Sequence, residues 1–267
     1  MSRPASNKLF SVLASLLVLG LLVSCSQPPK EKEEDEGPPG GGSGGLYMLT
    51  GNTHGVQGLF RLDSEDGTAT KLGTGITYHT GTPNVGLSGR GPNESLFGAN
   101  GFDLFVVPTT GATPGIVASS CGAHGLAYDA KNDELYLSFF NNARRVDPAS
   151  CAVVETLSTD RAYGGLAIDS ANRTLYGIGE ADGNVYALDV AAGAPYVWTA
   201  VFDTGVTGWD DAGLAFDAAN EVLYAVGHPT DRPGLYRIDV AAGTIEHVGD
   251  TGLAWAHGGL AWREEDD

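Results

Sequence analysis

GLAYD, Gly125–Asp129, is one of five variants of a single phrase in this chain. It returns as GLAID from Gly165, GLAFD from Gly213 and GLAWR from Gly259, with a looser copy, GLSGR, from Gly86. Ten residues after Gly86, Gly125, Gly165 and Gly213 stands a leucine followed by an aromatic: Leu96-Phe97, Leu135-Tyr136, Leu175-Tyr176 and Leu223-Tyr224. A third apolar run follows, such as VYALD ending at Asp189 or LYRID ending at Asp239, then a turn and a fourth run. Four short strands in a repeat of roughly 45 residues predict an all-β fold built of propeller blades.

The phrase suits the innermost strand of such a blade. Alternation puts Leu and the aromatic on one face and only Ala on the other, as convergence of the blades requires. Asp129, Asp169 and Asp217 are placed to cap the first turn through Asx-type bonds. Asp63, Asp147, Asp189 and Asp239 are placed to do the same at the third turn, where the second blade has Pro108. Turn capping is a sufficient reason for all of these aspartates.

Counting ten on from Gly259 overruns Asp267, whereas Leu46-Tyr47 has no GLA phrase before it. The expectation is a five-bladed β-propeller of four-stranded antiparallel blades, circularly closed by its N- and C-terminal segments, which removes open sheet edges. Blade 1 is expected over 46–73 plus 259–267. The others are expected at about 86–118, 125–157, 165–201 and 213–248.

The start of the chain reads differently. Arg3 and Lys8 precede an apolar stretch, Leu9–Val23, too short for a spanning helix of about 20 residues and suited to a signal peptide over 1–24. Leu22-Val23-Ser24-Cys25 resembles the bacterial lipobox. That resemblance implies lipidation of Cys25, which would become the mature N-terminus, and a membrane partner reached through the acyl chains. Residues 25–45, rich in Pro, Gly and acidic residues, offer nothing to bury and are expected to be a disordered tether to the 46–267 propeller. Ser26 after the cysteine resembles outer-membrane sorting, so the expected address is the bacterial cell envelope, periplasmic or surface-exposed.

A formal charge of −18 argues against nucleic acid and anionic lipid surfaces, which need basic patches. Cys121 and Cys151 would be a natural pair in an exported protein. The blade plan separates them, however, with one before an inner strand and the other in a turn on the opposite face. A strand of about 17 Å exceeds the roughly 7 Å a disulfide spans between Cα atoms, so pairing is not expected.

Loops between blades, and between second and third strands, share one face, the top. His54 and His228 fall in the latter loops, and His79, His124 and His257 in the former; His247 is on a strand. Tyr78, Tyr163, Trp209, Asp210, Asp211 and Trp255 join them. The candidate ligand-binding set is His124, Tyr163, Trp209, Asp210, Asp211, Trp255 and His257, facing a glycan, a peptide or an envelope protein. With no His-x-His or His-x-x-x-His spacing, the sequence assigns no metal, and no cofactor motif is present. Inner strands lack carboxylates before the turn, and Gly-x-Ser-x-Gly and a phosphate loop are missing, so no catalytic residue is assigned. The alternatives are a hydrolase or lyase using Asp210, Asp211, His124 and His257, and a structural envelope protein without a ligand site.

The repeats resemble uncharacterised secreted propeller repeats of environmental bacteria and are distantly similar to quinoprotein-like, NHL and WD40-type families. This resemblance implies the fold and leaves the activity open.

Overall fold

The computed structural model describes residues 44–51, 57–73, 85–90, 95–158, 161–229, 232–253 and 258–264, within a unit spanning Gly40–Asp267. The expected signal segment, Cys25 and the expected tether as far as residue 43 lie outside the described residues; Gly44 and Gly45, expected to belong to the tether, instead open the first strand and pair with Glu264 and Arg263. Twenty strands among the described residues make five four-stranded antiparallel sheets. The first blade holds β1 (Gly44–Thr50), β2 (Gly58–Leu62) and β3 (Ala69–Leu72). The second runs β4 (Gly86–Gly89), β5 (Ser95–Ala99), β6 (Asp103–Pro108) and β7 (Gly115–Ser119). The third runs β8 (Gly125–Asp129), β9 (Glu134–Phe139), β10 (Asn142–Val146) and β11 (Val153–Ser158). The fourth runs β12 (Tyr163–Asp169), β13 (Thr174–Gly179), β14 (Asn184–Asp189) and β15 (Thr199–Asp203). The fifth runs β16 (Gly213–Asp217), β17 (Val222–Gly227), β18 (Gly234–Asp239) and β19 (Thr244–Gly249). The last strand, β20 (Gly259–Glu264), pairs with β1 from Gly44↔Glu264 to Leu49↔Gly259 and completes the first blade. The protein is a five-bladed β-propeller closed by strands from both ends of the described chain.

The GLA phrase explains why five sheets can meet. Its leucine packs backwards onto the preceding blade: Leu126 joins Phe97, Ala99 and Leu104, and Leu214 joins Ala167 and Ile178. Its alanine packs forwards: Ala127 joins Leu166, and Ala261 joins Leu87. The five apolar clusters are therefore five seams between neighbouring blades, with no single central core. Each buried leucine contributes about 2 kcal/mol of transfer free energy to its seam. At the first position no side chain fits. A Cβ on Gly213 would lie 2.6 Å from the Leu260 nitrogen, and one on Gly259 would lie 2.2 Å from that of Leu87.

The turn aspartates act as the sequence predicts. Asp129, Asp169 and Asp217 each accept the N–H groups two and three residues on, and the side-chain amide of Asn132, Asn172 or Asn220. At the outer turns, Asp63, Asp147 and Asp189 accept the corresponding N–H pairs. Asp239 accepts the N–H of Ala242. Arg173 ties the fourth blade to the third, reaching Asp129 at 2.6 Å and Glu134 at 2.7 Å.

One expectation is overturned. Cys121 and Cys151 form a disulfide, with Cα atoms 6.0 Å apart. The sequence argument measured their separation along a straight strand. Adjacent strands rotate by about 20–25° each, so the β10–β11 hairpin lies obliquely to β8 and its turn swings beside the neighbouring blade. Cys121 is held there by its N–H, which donates to the Phe102 carbonyl at 2.8 Å. The bridge therefore fastens the crossover leaving the second blade to the outer turn of the third. Closing a 30-residue separation restricts the unfolded chain by about 3–4 kcal/mol in the loop-entropy account.

Candidate functional site

The seams decide what the channel can hold. Leu87, Leu126, Leu166, Leu214 and Leu260, with the glycines before them, surround an axial constriction with no water-sized space. Towards the bottom face the channel widens into a cavity of about 460 Å³, walled by these leucines, Tyr128, Ile168, Phe216 and Trp262. Its lining is mainly apolar. The top mouth, where His124 borders the constriction, is polar.

Three separate segments deliver side chains to that mouth. His124 ends the crossover from the second blade to the third, and its N–H donates to the Ser138 carbonyl at 2.8 Å. The same Ser138 hydroxyl accepts the Gly125 N–H at 2.9 Å and donates to the Tyr163 carbonyl at 3.3 Å, locking two blades together beneath the site. The imidazole meets Phe139 and Phe140 edge-on, with centroids 4.9 and 5.1 Å away. Glu180 follows β13 in the loop to β14, where its N–H donates to the Ala162 carbonyl at 3.3 Å. Asp211 sits in the crossover from the fourth blade to the fifth, in the left-handed region at φ 57°. Its carbonyl accepts the Gly258 N–H at 3.3 Å. One ligand-capable atom from each of His124, Glu180 and Asp211 lies within 4.8 Å of the others.

Burial and like charge set the protonation here. Burial pushes the Glu180 carboxyl up to about 7, with Asp211 and then Asp210 adding repulsion. Burial pushes His124 below its ordinary range, and the opposing attraction of Asp211 is smaller. Near neutrality the mouth therefore holds a neutral imidazole and a carboxyl that exchanges its proton readily. Among the described residues no lysine or arginine forms an ion pair with Glu180; Arg161 on the same face is taken up by Asp182 at 2.8 Å.

The candidates chosen from sequence divide sharply. His124 and Asp211 come together, and Asp210 is exposed beside them. Trp209 and Tyr163 do not reach the mouth surface. Trp209 is 0% exposed, its indole N–H donating to the Val206 carbonyl at 3.0 Å and its ring edge-on to Tyr236. Tyr163 is 1% exposed and stacks on Trp198. Both are seam residues: Trp209 plugs the wedge that its crossover spans, and Tyr163, expected in a loop, instead opens β12 and packs against Tyr136 and Leu157 of the third blade. Trp255 and His257, with His54, His79 and Tyr78, lie outside the described residues.

Glu180 stands outside the candidate set, which consists of histidines, aromatics and the Asp210-Asp211 pair; its signal in the sequence is the blade register. Gly179-Glu180 occupies the register of Gly227-His228, directly after the second strand.

No family model matches the chain, and no curated protein matches it in sequence. Among solved structures, a chain of the nidogen/laminin complex matches with a TM-score of 0.51 and 12% identity, over 82% of this chain and 98% of its own. A chain of Kuenenia stuttgartiensis hydrazine synthase matches with a TM-score of 0.43 and 16% identity, over 65% of this chain and 51% of its own. At such identity the nidogen/laminin likeness shows the fold alone.

Proposed function

We propose that the protein is a lipid-anchored binding module of the bacterial cell envelope that takes its ligand at the top mouth of the propeller. The anchor rests on the Leu22–Cys25 phrase and the acidic, Gly/Pro-rich stretch behind it. The observation that carries the binding reading is the convergence of His124, Glu180 and Asp211 from three loops onto one polar mouth. Phe140, 62% exposed at its edge, offers a face for a sugar ring, and the carboxylates offer acceptors for hydroxyl groups. A short glycan suits that chemistry better than an apolar peptide.

Binding of the full-length protein to an array of envelope glycans tests this. The double variant Asp211→Asn/Phe140→Ala should lose at least ten-fold in affinity with an unchanged melting curve; undiminished binding would remove the mouth from consideration. Cys25→Ser should shift the protein from the membrane fraction to the soluble one and abolish fatty-acid labelling.

A second reading, a hydrolase or lyase, is favoured by one feature. Glu180 at about 7 beside a neutral imidazole is suited to general acid–base work. Turnover of glycans bound by the wild type, lost in Glu180→Gln while binding persists, would establish it.

A further inference from the structure

We infer that His124, Glu180 and Asp211 together hold one divalent first-row transition-metal ion, of the zinc or manganese class, at the channel mouth. This deepens the top-mouth reading and rests on it.

The donor set is the first argument. One imidazole nitrogen and two carboxylates make a mixed N/O site, which suits zinc, manganese or ferrous iron. Calcium and magnesium favour oxygen ligands throughout, and the absence of a thiolate from the triad disfavours soft ions. Two carboxylates, ionised when they ligate, also balance a divalent charge.

Geometry is the second. Bonds of about 2.0–2.2 Å to a central ion place neighbouring donors roughly 3–3.5 Å apart. The three donor atoms already lie within 4.8 Å of one another, so side-chain adjustments of about an ångström would close the set. They are carried on segments that the fold pins individually: His124 through Ser138, Glu180 through Ala162, and Asp211 through Gly258. The flanking rings of Phe139 and Phe140 restrict the imidazole plane.

Third, the three donors belong to different blades, and nothing in the repeat requires them. The equivalent of Glu180 is Phe140 in the third blade and His228 in the fifth. Three protein donors also leave coordination positions open, where an oxygen of the bound ligand could enter.

The test uses full-length protein in detergent, stripped with chelator and then titrated with Zn²⁺ or Mn²⁺ by calorimetry, with metal content measured after dialysis. One equivalent per chain is expected. Glu180→Gln and Asp211→Asn should each weaken binding by ten-fold or more, and the double variant should retain no stoichiometric metal. Asp189→Asn, the same charge change in a bottom-face turn, should bind as the wild type does. Substoichiometric metal in the wild type, or equal binding by the double variant, overturns the inference. Substoichiometric metal with glycan binding intact, and still lost in Asp211→Asn/Phe140→Ala, would sink the metal while leaving the top-mouth reading standing. Stoichiometric metal with no glycan bound would do the reverse.

Discussion

The two faces of this propeller are built by opposite rules. On the bottom, the inner turns after Asp129, Asp169 and Asp217 repeat the same three hydrogen bonds. Each is followed by a left-handed residue, Asp133, Arg173 or Glu221, at φ 53, 58 and 54°. On the top, the crossovers differ in length and content, and the segment from Thr204 to Ala212 carries a buried tryptophan, an exposed Asp210 and the half-buried Asp211. Repetition marks what every blade needs in order to form. Departure from it marks what one place in the ring does.

The strongest way to break that contrast is to attack the closure, which neither face controls. Truncation after Gly258 removes β20, so the first blade loses its innermost strand and two seams open. Loss of a cooperative unfolding transition, followed by circular dichroism, is expected. Next comes a residue on the irregular face that behaves as scaffold. Trp209→Ala should cost about 3–5 kcal/mol in urea unfolding, as large core truncations do. A cost under 1 kcal/mol would return Trp209 to the ligand surface. A regular bottom turn comes third. Asp217 is 0% exposed and satisfies two N–H groups and an amide. Asp217→Ala should cost about 1–3 kcal/mol, the range for stranding buried donors. The exposed Asp210→Ala should stay within about 0.5 kcal/mol.

Much of the fold was legible because its constraint is local and repeated. Five inner strands cannot converge with side chains larger than glycine and alanine facing the next blade, so GLA recurs and betrays the period. The turn aspartates were legible for the same reason, each bonding within three residues. What the sequence hid depends on long-range geometry. Sheet twist brings Cys121 to Cys151, and no spacing along the chain reports an angle between strands. Trp209 reads as a ligand contact because a loop position implies exposure, whereas the fold buries its ring completely. Glu180 is an ordinary residue in an ordinary loop until the fold sets it beside Asp211 and His124.

The two faces should also titrate with opposite sign, and this is the finest test of the comparison. At the bottom, hydrogen bonds from Ser150 hold the Asp147 carboxyl below its usual value, so its contribution is present above the unfolded pKa and fades as acid protonates the native state. At the top, Glu180 lies at about 7 when folded against an ordinary 4.5. Below about pH 4.5 both states hold the proton and Glu180 contributes nothing. Between 4.5 and 7 the unfolded chain releases its proton while the native protein keeps it, so stability falls as pH rises, and above 7 the penalty is complete. Glu180→Gln removes that dependence. In chelator, its stability gain over the wild type should be near zero at pH 4 and plateau above pH 7 at about 1 kcal/mol, discounted because the carboxylate is partly solvated. A gain that is flat with pH would mean that the variant merely repacks the loop and that no charge is crowded at the mouth. A gain that grows between pH 4.5 and 7 in chelator and vanishes when Zn²⁺ is restored would place the crowded charge on the metal-binding atoms themselves.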